Sequence, residues 1–173
     1  MRVSKLDAAR RQLESAIRLF FASADPVSIH TLVGAARTLL RDLLREQGRE
    51  AGLDAIFREG IRPEKLKDVR GMLVEAQNFF KHADHDADEL FDFNPTTTEI
   101  LLWDSCALYN TLTGEQIPLF VVFNAWWALT HPQFLNPEAQ AVATQNAQIF
   151  NPNNRRGFLA EFLPLAEEWV VSQ

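Results

Sequence analysis

Apolar residues recur every three or four positions along most of the chain, and this period predicts helices almost throughout. Leu6, Ala9, Leu13, Ala16, Ile17, Phe20 and Phe21 form the buried stripe of a first helix. Asp25-Pro26 then punctuates the chain: the aspartate caps free amides and the proline loses nothing at the first helical position. A second helix follows over about 26–46, with Ile29, Leu32, Val33, Ala36, Leu39, Leu40 and Leu43 inward and Gly48 as its stop. Two long helices joined so briefly are expected to pack antiparallel.

The pattern weakens after Arg49, where Ala51 to Phe57 predicts a short helix ending at Gly60. A third long helix starts near Pro63, carries Leu66, Val69, Leu73, Ala76, Phe79 and Phe80 inward, and ends near His82. A polar turn over 84–89 follows. Thr96, Thr97 or Thr98 is expected to cap the next helix, which runs to Gly114. Ile117 to Leu129 is apolar on all sides and predicts a central helix, with Val121-Val122-Phe123 the one run where a strand competes. An alanine- and glutamine-rich helix reaches about Phe150, Asn151-Pro152-Asn153-Asn154 turns the chain, and a last helix spans 156–170 with a bend at Pro164. The predicted fold is an all-α, single-domain bundle of six to eight helices covering residues 1–173, with the helices of 115–173 packed on the same core.

Composition agrees with a packed globule: 173 residues, 47% of them hydrophobic, including thirteen Phe and four Trp. The net charge of -6 disfavours nucleic acid and anionic membrane as partners. Fourteen of the seventeen basic residues lie at or before Arg70, so any basic face belongs to the N-terminal part. There Arg11 shares a helical face with Arg18, and Arg37 one with Arg41 and Arg45. The apolar runs are too short to span a bilayer. One cysteine, Cys106, excludes an internal disulfide and, with no signal-peptide core, predicts a cytoplasmic protein.

The most unusual stretch runs from Asn78 to Asp86, Asn-Phe-Phe-Lys-His-Ala-Asp-His-Asp. Asn78 and His82 lie one helical turn apart, as do Lys81 and His85. His82 with Asp84, Asp86 or a distant His30 is a candidate acid–base pair. His82, His85 and Asp86 are candidates for a divalent metal, the only cofactor in view. The alternative is structural: Lys81 and His82 favour the helix dipole and the aspartates form a solvated loop. A calcium loop over Asp84-x-Asp86-x-Asp88 fails, because Glu89 stands where glycine is needed and Pro95 where the closing glutamate belongs. His30 sits near the entry of helix two, where an antiparallel third helix would bring His82 close, with Arg37 further down. Phosphate loops, CxxC pairs and HExxH motifs are absent. Of Trp126 and Trp127, on adjacent faces, one is expected in the core and the other at a contact surface.

The segment from Ala24 to Ala36, together with Asn78 to Asp84, resembles a group of small bacterial helical proteins with no established activity; the likeness covers most of residues 1–112. More remotely, the arrangement is similar to the HEPN superfamily, whose active members are dimeric RNases with an arginine five to seven positions before a helical histidine. The resemblance implies a HEPN-like bundle, with His82 matching that histidine and Asn78 in the polar segment before it. The arginine is not matched: Glu75, Ala76 and Gln77 hold those positions and Arg70 lies further back. Two functions are therefore carried forward. One is a non-enzymatic binding or interaction protein, acting on a ligand, a protein partner or a second copy, with Arg37, Arg41, Lys81, Trp126 and Trp127 as contact residues. The other is a ribonuclease or metal-assisted phosphodiesterase built on His82, Asn78, His30 and Asp84.

Overall fold

The computed structural model describes residues 1–55, 71, 73–84, 88–147 and 149–173. Among these the chain is all-helical and forms a bundle, with helix over the competing Val121–Phe123 run. Six helices carry it: α1 (Lys5–Phe21), α2 (Pro26–Glu46), α3 (Thr96–Thr113), α4 (Pro118–Thr130), α5 (Pro137–Asn146) and α6 (Arg155–Val171). A 3-10 turn spans Pro132–Phe134, and residues 52–55 and 73–79 are also helical. The expected start of the third long helix at Pro63 lies outside the described residues. No helix of the described residues is long and apolar enough to cross a membrane.

Local chemistry sets the helix ends. Ser4 and Asp7 form a reciprocal capping box on α1. Asp25 accepts the Ser28 amide at 2.7 Å and Pro26 opens α2. Asn136 and Asn154 cap α5 and α6 in the same way. The threonines before α3 do not act as caps. Asn94 Oδ1 accepts the Thr96 amide, Thr97 bonds back to the Asn94 carbonyl, and Thr98 is buried inside the helix. Hydroxyl type and position suggested three caps, but the Asn-Pro pair ahead of them had already turned the chain. The helix expected to reach Phe150 stops at Asn146, and Pro164 lies inside α6 without ending it.

α1 packs against α2, α3, α4 and α6, and α2 lies along α3. α4 touches α1, α3, α5 and α6, the central place that its all-round apolar surface predicted. One continuous core joins them, with Phe21, Leu13 and Ile17 of α1, Leu40 of α2, Leu102 of α3, Phe123 of α4 and Phe158 of α6 fully buried. Each such side chain contributes roughly 1.5–3 kcal/mol by leaving water.

Candidate functional site

α2 presents a polar stripe to α3 and to residues 73–80. His30, Gly34, Arg37 and Arg41 recur at four-, three- and four-residue steps, so they share one face. His30 is 1% exposed; its Nδ1 lies 3.0 Å from the Thr98 hydroxyl, and its ring meets Phe80 and Phe93 edge to face. Burial lowers its pKa to about 4, so it is neutral at physiological pH. Its Nε2 is buried and has no hydrogen-bond partner among the described residues. Gly34 admits the buried Gln77, whose Cδ would come within 2.7 Å of a Cβ at position 34.

Arg37 bonds through Nε to Asp104 Oδ2 at 2.5 Å, with both side chains buried. The other Asp104 oxygen accepts the Leu53 amide at 2.7 Å, at the start of the helical residues 52–55. Asp104 of α3 therefore serves as the acidic cap of a different helix. Gly52 makes that approach feasible: its φ is +60°, and a Cβ there would overlap Asp104 Oδ1. Burial raises the Asp104 pKa, while Arg37 and the Leu53 amide oppose the rise. Arg41 repeats the pattern with Asp54, again through Nε at 2.5 Å. Arg37 and Arg41, expected as contact residues, are thus already engaged by carboxylates of the same chain. This pairing takes two members out of the Arg37–Arg41–Arg45 stripe, and Arg45 reaches Asp42 at 3.2 Å.

Asn78, His82 and Asp84 line one depression of about 590 Å³, with Glu75, Phe79, Glu89 and Phe91 among its other walls. All three are exposed, as is Lys81. His30 is not part of that depression. The two predicted ends do approach one another, through the His30–Phe80 ring contact two residues before His82. Among the described residues there is no group of three His, Cys, Asp or Glu side chains placed to hold a metal ion. His85 and Asp86 lie outside the described residues.

Both central indoles are buried. Trp126 donates its Nε1–H to the Pro152 carbonyl at 3.0 Å. Trp127 stacks on His131 at 3.8 Å between centroids and lies roughly parallel to Trp103 and Phe134, at 5.8 and 6.1 Å. His131 in turn faces Glu99 at 3.6 Å, and Glu99 bonds Arg155 at 2.9 Å. Burial lowers the pKa of His131 and raises that of Glu99.

These parallel rings wall a cavity of about 410 Å³ lined by Leu53, Leu73, Ile100, Trp103, Trp127, Phe134 and Leu135. Phe134 is 68% exposed at its rim. No family model, curated protein or solved structure matches the chain. The site is therefore read from its own chemistry. Of these seven residues, sequence reasoning singled out only Trp127 as a contact residue. Periodicity placed Trp103 nowhere in particular, because α3 is apolar on several faces and gives no single stripe.

Proposed function

We propose that this protein is a non-enzymatic binding module for a small, ring-bearing and largely apolar molecule, held in the cavity between Trp103, Trp127 and Phe134. The carrying observation is the cavity itself, about 410 Å³ and lined, among the described residues, by seven apolar side chains. That volume lies within the range of small-molecule sites, which are mostly apolar with few polar groups. Parallel indole and phenyl rings offer offset-stacking surfaces to a flat ligand. We place the module in the reducing cytoplasm on its single, buried thiol, Cys106.

Calorimetric titration with 2-methylnaphthalene tests the reading. Saturable one-to-one binding is expected, and Ile100→Trp should abolish it by filling the cavity while circular dichroism shows the helices intact. Absence of binding by the wild type, or binding that survives the filled cavity, would sink the reading.

A second reading keeps the remote HEPN likeness and makes His82 the general base of a ribonuclease or metal-assisted phosphodiesterase. It is favoured by the convergence of Asn78, His82 and Asp84 on one depression. The carboxylates of Glu75 and Glu89 in the same depression weigh against it, since a phosphodiester would meet negative charge there. Incubation with RNA, with and without Mn²⁺, decides between them: cleavage that His82→Ala removes would favour this second reading.

A further inference from the structure

The apolar cavity has a polar neighbour. Leu73 lines both the aromatic cavity and a neighbouring cavity of about 210 Å³ bounded by Arg37, Arg41 and Asp54. Consecutive residues divide between the two: Leu53 faces the rings and Asp54 the charged side. Arg41 is half-buried and holds Asp54 through Nε alone, so its Nη1 and Nη2 carry no hydrogen bond to another described residue. Arg37 is more fully committed: it is buried against Asp104 at the back of the stripe.

We infer that the ligand carries an oxygen acceptor at one end, a carboxylate or a carbonyl, bound by the terminal nitrogens of Arg41 while its ring body fills the aromatic cavity. This rests on the binding reading above and narrows it to a ligand class. Three features carry it. Small-ligand sites combine an apolar body with one or two placed polar groups, and Arg41 lines the cavity that shares Leu73 with the aromatic one. A guanidinium engaged through Nε still offers the four N–H bonds of Nη1 and Nη2 in a fixed plane. Asp54 fixes that plane and partly offsets its charge, which leaves room for a neutral acceptor as well as an anionic one.

The test compares 2-methylnaphthalene, naphthalene-2-carboxamide and naphthalene-2-carboxylate by calorimetry on the intact protein. One or both of the oxygen-bearing compounds should bind about tenfold or more tighter than the hydrocarbon, as a hydrogen bond to a charged donor implies. A gain for the carboxylate alone assigns an anionic ligand, and a gain for both assigns an acceptor of either charge. Arg41→Met should remove the gain and leave the hydrocarbon affinity within about twofold. Equal affinities in the wild type, or a gain that survives Arg41→Met, would overturn the inference and leave the apolar site standing. Failure of all three compounds to bind would overturn the site reading and this inference with it. The wild-type comparison decides the matter even if the Arg41 variant unfolds.

Discussion

At the scale of single residues, the tightest constraint is Asp104, which meets Arg37 and the Leu53 amide inside the bundle. Removing one partner of a buried pair leaves the other charge without compensation. Asp104→Asn is expected to cost about 3 kcal/mol or more in urea unfolding, while the Arg37→Met/Asp104→Leu double variant costs less than the two single changes added together. Gly52→Ala combines a left-handed φ with overlap on Asp104, and an expected cost of about 2 kcal/mol is measurable in the same way. His30 gives a pH signature. Its folded pKa of about 4 lies below its ordinary 6.5, so the unfolded chain binds the proton first. Its contribution is therefore complete above pH 6.5 and lost as pH falls toward 4, and the stability difference between wild type and His30→Gln should change across that window. A difference that stays flat from pH 7 to pH 4 would contradict the buried, neutral imidazole. Of these residues only His30 and Arg37 were singled out beforehand, and neither for the contacts the structure gives it. Asp104 did carry a signal, since it is the lone charged residue in the Leu101–Cys106 run. A single sequence does not say which of many arginines answers it.

Among the elements, periodicity was enough to find the helices, because amphipathic stripes such as Ala9-Leu13-Ala16-Phe20 leave no competing strand pattern. Their ends were legible where one side chain did the capping, as at Asp25, and misjudged where several candidates crowded together, as at Thr96–Thr98. Asn154 is the corresponding handle on α6: its side chain accepts the Gly157 amide. Asn154→Ala should destabilise the protein by about 1 kcal/mol in thermal unfolding, whereas Asn153→Ala, with an exposed side chain just outside the helix, should change little. The candidate site was less legible than the helices. Trp127 was in view, but Trp103, Phe134 and Leu73 come from separate elements, and no local spacing links residues thirty positions apart. Arg41 was named for its charge, and its neighbour Asp54 was not foreseen.

For the molecule as a whole, the account joins a bundle held by one apolar core to a cavity at its side, where α3, α4 and the turn after it meet Leu53 and Leu73. α3 supplies Ile100 and Trp103, α4 supplies Trp127, and the turn after it supplies Phe134 and Leu135. The buried Arg37–Asp104 pair, with Asp104 also accepting the Leu53 amide, fixes the start of residues 52–55 against this edge, so the Leu53 wall of the cavity is set by a contact that stabilises the fold. The four tryptophans provide internal reporters of any ligand. Trp103 and Trp127 line the cavity, Trp126 is bonded to Pro152, and Trp169 stands exposed on α6. The most direct measurement is the indole N–H spectrum of the ¹⁵N-labelled protein during titration with naphthalene-2-carboxylate. The account predicts that the Trp103 and Trp127 signals shift together and saturate, while Trp169 stays in place and Trp126 moves little. Uniform movement of all four, a shift confined to Trp169, or no shift at saturating probe would contradict it.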